Sequence, residues 1–236
     1  MKSFKLLNSV IFITLLSSNL VCGQDVNLHG GLVVSQLTST KKGNTTMLEV
    51  LDEYKSKLGF TIGVSTEINI SKNNKFSISP QLKYTELGAK YNLFDNLKPT
   101  AADPNDPAFK LLDVDKAINL NYIMVPILMS YKLNNKFSFS LGGQLSYLLS
   151  YHNDLISDFS TAITSINKYD YGMLMGAAFA ITNRINANLN YYIGFNKVER
   201  ARIESPYFEF YAQGKNKTTY LSFEAVYRLK KAIKIR

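Results

Sequence analysis

Between Phe137 and Tyr151 apolar and polar positions alternate with a period of two. Phe137, Phe139, Leu141, Gly143, Leu145, Tyr147, Leu149 and Tyr151 fall on one face, and Ser138, Ser140, Gly142, Gln144, Ser146, Leu148 and Ser150 fall on the other. Successive side chains of a strand point to opposite faces, so the pattern predicts a strand of about fifteen residues. Strands of soluble proteins usually run to about 5 or 6 residues, whereas a tilted membrane-spanning strand needs about 9 to 11 in hydrocarbon alone. The same period recurs in Phe60, Ile62, Val64, Ile68 and Ile70, and in Phe76, Ile78, Leu82 and Tyr84. It returns in Tyr171, Met173, Met175, Ala177, Phe179 and Ile181, in Ala187, Leu189, Tyr191, Ile193 and Phe195, and in Leu221, Phe223, Ala225, Tyr227 and Leu229. Two weaker strands carry Leu28, Leu32 and Val34, and Val125, Ile127, Met129 and Tyr131, the second with a bulge predicted at 123–126 where the period slips.

Eight strands follow, near 25–37, 57–70, 76–91, 117–133, 137–151, 169–182, 186–199 and 217–230. Short polar turns at Asn73-Asn74, Asn134-Asn135 and Asn183-Arg184 alternate with long connections at 38–56, 92–116, 152–168 and 200–216. In a meander all short turns then share one end and all long loops the other, as in outer-membrane barrels. The predicted fold is therefore all-β, an eight-stranded antiparallel up-and-down transmembrane β-barrel, with no helix beyond a turn within 47–58. Hydrocarbon offers no partner for an open sheet edge, so the first and last strands must meet. The polar parity places Glu67, Lys83, Lys132, Asp170, Glu224 and Arg228 in the lumen. Three acids against three bases predict a paired polar core rather than a narrow ion path, since eight-stranded barrels are filled by side chains.

The N-terminus adds an address. Lys2 and Lys5 precede the apolar stretch Leu6–Leu20, and Val21 and Gly23 sit where small residues precede a signal cleavage. The expected division is a signal peptide over 1–23, the barrel over 24–230 and a basic tail over 231–236. Cys22, the only cysteine, would leave with the signal; Asn19 and Val21 are poor neighbours for a lipoprotein site there. The 27 basic and 18 acidic residues give +9, and 25 against 18 without Lys2 and Lys5. Export excludes a nucleic-acid reading of that charge. Thirteen glycines, 15 Tyr and 14 Phe at 46% hydrophobic content exclude collagen-like, disordered and polytopic helical classes.

A resemblance extends this. The run Leu120-Asn121-Tyr122-Ile123-Met124-Val125-Pro126-Ile127-Leu128-Met129-Ser130-Tyr131, with Lys136-Phe137 and Leu141-Gly142-Gly143-Gln144-Leu145-Ser146-Tyr147-Leu148-Leu149, resembles the middle of the PorT-like outer-membrane β-barrel family of Bacteroidota, a porin-like group. Ile78-Ser79-Pro80-Gln81-Leu82-Lys83-Tyr84, Tyr169-Asp170-Tyr171-Gly172 and Asn190-Tyr191-Tyr192-Ile193-Gly194 are similar too, so the likeness spans about 25–230. The Val125-Pro126 step is its most specific element. The resemblance implies an outer-membrane location; one branch of the family belongs to type IX protein secretion, and no residue here selects that branch. The tail from Lys230 to Arg236 departs from the aromatic ending of many barrels.

Candidate chemistry is sparse. His29, on the lumen face beside Gly31, reads as a hydrogen-bonded interior residue, because a metal site needs three or four convergent ligands. His152 with Asn153, Asp154, Asp158 and Ser160 has the composition of a barrel-mouth hydrolase, but so has an ordinary loop. Asp103, Asp106, Asp113 and Asp115 around Pro104-Asn105-Asp106-Pro107 lack the spacing of a calcium loop. The strongest interaction candidate is the last loop, where Lys197, Arg200, Arg202 and Lys215 adjoin Tyr207, Phe208, Phe210 and Tyr211. Basic and aromatic groups there suit lipopolysaccharide phosphates or a protein partner. Tyr84, Tyr131, Tyr147, Tyr151, Tyr191 and Tyr227 read as membrane-interface residues. The expectation is a monomeric outer-membrane protein with a structural or surface-interaction role, without catalysis, cofactor or metal. Two rivals are a soluble lipocalin-like carrier, in which the faces are reversed, and a lipid-modifying enzyme using His152. Gly59, Gly63, Ser138, Ser140, Gly142, Gly172, Gly176 and Ala178 share the polar face, which suits a crowded lumen better than a solvated exterior.

Overall fold

A computed structural model of the chain describes residues 25–39, 55–92, 115–153, 162–203 and 214–229. The segment 1–24, the tail from residue 230 and the central parts of the four long connections lie outside the described residues. The strands are β1 (Asp25–Ser39), β2 (Lys55–Asn69), β3 (Phe76–Asn92), β4 (Asp115–Lys132), β5 (Phe137–Asn153), β6 (Ala162–Ile166), β7 (Tyr169–Ala180), β8 (Ile185–Gly194), β9 (Glu199–Ile203) and β10 (Gly214–Arg228). They pair antiparallel in the order β1-β2-β3-β4-β5-β7-β8-β10, and β10 returns to β1 from Asn27 opposite Arg228 to Ser39 opposite Asn216. The sheet is closed through the body of the barrel; only above Tyr147–Tyr169 do β5 and β6 run without pairing to each other. β6 and β9 are not additional staves. They pair with each other, and β9 pairs with β10 beyond the end of β8, so they prolong β7 and β8 after breaks at 167–168 and 195–198. Eight staves remain, as the alternation predicts.

The register fixes the geometry. Asp25 faces Glu67 on β2, which stands beside Ser79 in the β2–β3 register. From Ser79 the partners run Leu128, Gly142, Leu174, Tyr192, Tyr220 and back to β1 at Ser35. One circuit thus climbs from residue 25 to residue 35. Such a stagger, at about 3.3 Å per residue across eight strands about 4.8 Å apart, tilts the strands by about 40°.

The three short connections, 70–75, 133–136 and 181–184, are built alike. Asn134 Oδ1 accepts the backbone N–H groups of Lys136 and Phe137 (both 2.8 Å), and Thr182 Oγ1 accepts those of Arg184 (3.2 Å) and Ile185 (3.0 Å). Asn73 Oδ1 accepts that of Lys75 (3.2 Å), and Asn74 takes the left-handed φ of 55° that asparagine tolerates.

Outside, the predicted apolar stripes are exposed on every stave, among them Leu32, Ile62, Ile127, Leu145, Leu189 and Phe223. Aromatic pairs border this belt. Phe76–Tyr131 and Phe137–Phe179 lie toward the short turns, and Phe60–Tyr84, Tyr147–Tyr169 and Tyr171–Phe195 toward the long connections. From Phe137 to Tyr147 along β5 is about 33 Å of strand, or about 25 Å along the barrel axis at this tilt, the height of a hydrocarbon band. A carrier with its apolar face enclosed is thereby corrected: these stripes face outward, and Glu224 and Lys83 are buried inside.

Four further expectations change. The slip lies not at 123–126 but between Asn121 and Tyr122, and the extra residue, Leu149, belongs to β5. Along β4 the parity never breaks: Ile118, Leu120, Tyr122, Met124 and Leu128 all point inward, and their apolar character obscures the alternation. The bulge at Leu149 turns Tyr151 from the membrane face to the interior, where it packs on the buried cluster. Strand structure also reaches into the expected loops, as β6, β9 and the first residues of β10, and Lys55–Leu58 are strand rather than turn.

Candidate functional site

The inward faces of the eight staves meet in a lumen stacked in three tiers. Nearest the short turns, Glu67 pairs with Lys132 (2.6 Å) and more loosely with Arg228 (3.8 Å). Deeper inside, Glu224 of β10 receives Lys83 of β3 on both carboxylate oxygens, at 2.9 and 2.8 Å. β10 and β3 are three strands apart round the barrel, so this bond is a strut spanning the lumen. Glu224 also accepts Asn190 Nδ2 (3.0 Å) and Ser222 Oγ (2.8 Å), and His29 Nδ1 lies 3.1 Å away. A carboxylate 2% exposed is tolerable only with a cation and a full set of donors, and Glu224 has both. Room for the strut comes from inward glycines. A Cβ on Gly31 would stand 2.2 Å from Phe223 O, and one on Gly63 2.6 Å from Lys83 Cγ.

The middle tier is aromatic. Tyr192 and Tyr220 stack at 4.9 Å, Tyr220 Oη donates to Gln144 Oε1 (2.7 Å), and Gln144 Nε2 reaches Ser146 Oγ (3.1 Å). Tyr192 Oη donates to Asp170 Oδ2 at 3.1 Å. Above it, toward the long connections, Leu37, Leu87, Ala89, Ile118, Leu120, Leu148 and Val198 close the barrel with aliphatic groups, each buried, with Tyr151 and Ile166 packed against them. Lys57 and Glu86 form an ion pair at this end.

Of the six predicted lumen residues, five converge in two ion-paired groups. The expected balance of three acids against three bases fails at Asp170. It stands near the upper end of β7, opposite Ser146, a tier above the bases, and among the described residues no base is within ion-pair distance. The polar lumen is likewise corrected, because its upper part is aliphatic. The inward tyrosines and this apolar tier escape a reading that assigns tyrosine to the interface and every apolar residue to lipid; their signal is parity alone, Leu120, Tyr122, Leu148, Tyr192 and Tyr220 all falling on the lumen side.

His29 is a hydrogen-bonded interior residue, and its neighbours form a chain. With Nδ1–H directed at Glu224, Nε2 accepts from Ser65 Oγ (2.8 Å), which in turn accepts Asn27 Nδ2 (3.3 Å). The sequence serine–histidine–carboxylate is that of an acyl-transfer triad. Here Glu224 is held by Lys83 and Ser65 is 4% exposed, so the chain serves as a relay between strands β2, β1 and β10. His152 is exposed at the end of β5, opposite Asn119; Asp154, Asp158 and Ser160 lie outside the described residues. So do Asp103, Asp106 and Asp113, and among the described residues no group of three His, Cys, Asp or Glu converges on a metal position.

In the last loop, Lys197 is half-buried beyond β8, and the ladder places Arg200 of β9 between Ser165 of β6 and Lys215 of β10, with Arg202 opposite Ile163. The aromatic partners Tyr207, Phe208, Phe210 and Tyr211 lie outside the described residues. Tyr84, Tyr131, Tyr147, Tyr191 and Tyr227 stand on the outer face as expected.

Against known proteins, residues 23–200 match the family model described as outer membrane protein beta-barrel domain. No curated protein matches the chain. Among solved structures, the chain is similar to Neisserial surface protein A (14% identity, 86% of this chain and 97% of that one, TM-score 0.47). It is similar as well to the outer membrane protein OprG from Pseudomonas aeruginosa (11%, 88% and 96%, TM-score 0.48) and to the outer membrane protein AlkL in lipid bilayers (11%, 90% and 93%, TM-score 0.48). At such identities the likeness concerns fold alone, which the strand pairings establish independently.

Proposed function

The chain belongs to the outer membrane protein beta-barrel domain family, and from that premise we propose that it is a closed outer-membrane scaffold that acts through its long connections, with no solute path through its lumen. One observation carries this: the Lys83–Glu224 strut and the stacked tyrosines cross the lumen, and between them and the long connections lies a cluster of buried aliphatic side chains beside the Lys57–Glu86 pair. All four long connections leave from the aliphatic end, so contact with partners falls to them. The Arg200–Lys215 register, with Arg202 and Lys197 near, supports the basic loop as a contact for lipopolysaccharide phosphates or an acidic protein. The reading includes removal of 1–23 on export, a monomeric barrel over 24–230 and no catalytic role. Placement in the PorT-like group rests on the residues around Val125-Pro126 and implies no part in secretion by itself.

The test is a planar-bilayer recording on protein shown to be folded by its shifted migration before boiling. The expected result is no stepwise conductance; steady ion steps from folded protein would overturn the closed lumen. For the loop, K197Q/R200Q/R202Q/K215Q is expected to weaken lipopolysaccharide binding at least tenfold, and unchanged binding removes that contact.

A further inference from the structure

The short-turn end of the barrel carries a set of cations. Lys72 and Lys75 stand in the first short turn, Lys136 in the second and Arg184 in the third, while Lys132 and Arg228 close the adjoining strand ends. Against these six bases the same end has two acids, Asp25 and Glu67. Lys132 and Arg228 are taken up by Glu67, which leaves the four turn cations to the rim.

The three turns repeat one arrangement. Each begins with an exposed aliphatic residue, Ile70, Leu133 or Ile181. Each then uses a side-chain oxygen of Asn73, Asn134 or Thr182 to hold the main-chain N–H of Lys75, Lys136 or Arg184. All four turn cations are exposed, and no turn contains an acid. Directly behind them lie the girdle pairs Phe76–Tyr131 and Phe137–Phe179, which mark the edge of the hydrocarbon belt. The cations thus sit at headgroup depth. Their field is screened over about 8 Å at physiological salt, so they act on the adjoining leaflet rather than on a distant partner.

We propose that this rim is an anion-docking ring that gathers acidic phospholipid headgroups from the leaflet on the short-turn side. Backbone caps hold the turns, exposed aliphatic residues seat them in the interface, and the cations collect phosphate charge around the barrel foot. The proposal does not depend on what the long connections bind.

The full exported chain, folded into nanodiscs of equimolar phosphatidylcholine and phosphatidylglycerol, tests it by measuring the lipids retained around the barrel. At low salt phosphatidylglycerol is expected to be enriched several-fold, falling toward parity in added salt and in K72Q/K75Q/K136Q/R184Q. Each cation contributes at most about fivefold. These turns keep their caps, and heat-dependent migration shows whether the variant is folded. The control K90Q/K168Q, at the other end, is expected to keep the enrichment. Parity in the natural protein, enrichment surviving in the quadruple variant, or equal loss in the control would each overturn the ring. Capture of soluble polyglutamate by barrels in pure phosphatidylcholine, without lipid enrichment, would overturn it in favour of an acidic periplasmic polymer.

Discussion

The two halves of the lumen are closed by different physics. Toward the short turns, Glu224, Lys83, His29, Ser65, Asn190 and Ser222 seal the barrel with directional bonds between groups that water would solvate well. Toward the long connections, Leu87, Ile118, Leu120 and Leu148 pack by volume, beside the Lys57–Glu86 pair and the buried Ser35. The polar seal draws its stability from the full set of donors round Glu224, so losing one partner strands another. The apolar seal draws it from area and fit, so losing one side chain leaves a void.

Breaking the strut should have the largest effect. Lys83→Ala leaves Glu224 buried with its remaining donors but without its primary cation, a loss of about 3–5 kcal/mol for a buried pair deprived of one member. Urea unfolding of the folded barrel, followed by the migration shift, measures it. The double change Lys83→Met with Glu224→Leu removes both charges and is expected to recover most of that loss, since an apolar replacement carries no unpaired group. A double variant no better than Lys83→Ala alone would show that the strut is not a coupled pair.

In the upper half the corresponding cut is Leu120→Ala. A buried leucine lost from a packed core costs about 2–5 kcal/mol according to how far the site collapses, and Leu120 is 1% exposed between Leu87 on β3 and Tyr151 on β5. No second substitution in a polar partner should rescue it, which separates the two modes of closure. The void is lined with apolar groups and stays dry, so conductance is expected to remain absent.

The contrast also explains what could be read from the chain. Strands such as β5 announce themselves because Phe139, Leu141 and Leu145 alternate with Ser138, Ser140 and Gln144, and the inward position of Lys83, Glu224 and Glu67 follows from parity. Which charges meet does not. Lys83 and Glu224 are 141 residues apart, and their meeting depends on the stagger accumulated round the whole barrel. Asp170 looks identical to the paired acids by parity, yet its height on β7 deprives it of a base. The upper half is the least legible, because Leu120, Tyr122 and Met124 alternate with Ile123 and Val125, apolar on both faces, and a single extra residue at Leu149 reverses Tyr151. Local pattern sets facing; register, which is global, sets partners.

Between the halves, Tyr192→Phe tests the boundary. It keeps the stacked ring against Tyr220 and removes the hydroxyl that Asp170 accepts. Leaving a buried carboxyl without that donor is expected to cost about 1–3 kcal/mol. Tyr192→Phe with Asp170→Leu should regain part of it; a single variant as stable as the natural protein would mean that the bond contributes nothing.

The smallest effect is expected at Ser65, because a network with several donors tolerates the loss of a peripheral one. Ser65→Ala removes the Oγ that lies 2.8 Å from His29 Nε2 and frees the Asn27 amide, but His29 keeps Glu224, and Glu224 keeps Lys83, Asn190 and Ser222. Two hydrogen bonds are lost, the second long at 3.3 Å, together worth about 1–2 kcal/mol. The serine–histidine–carboxylate order makes the same variant informative about chemistry: a relay predicts unchanged membrane lipids in cells carrying Ser65→Ala, whereas a nucleophile predicts loss of a lipid modification at nearly full stability. A cost approaching that of Lys83→Ala would show that the ionic half is a single cooperative unit, and the distinction between a central strut and peripheral relays would have to be abandoned.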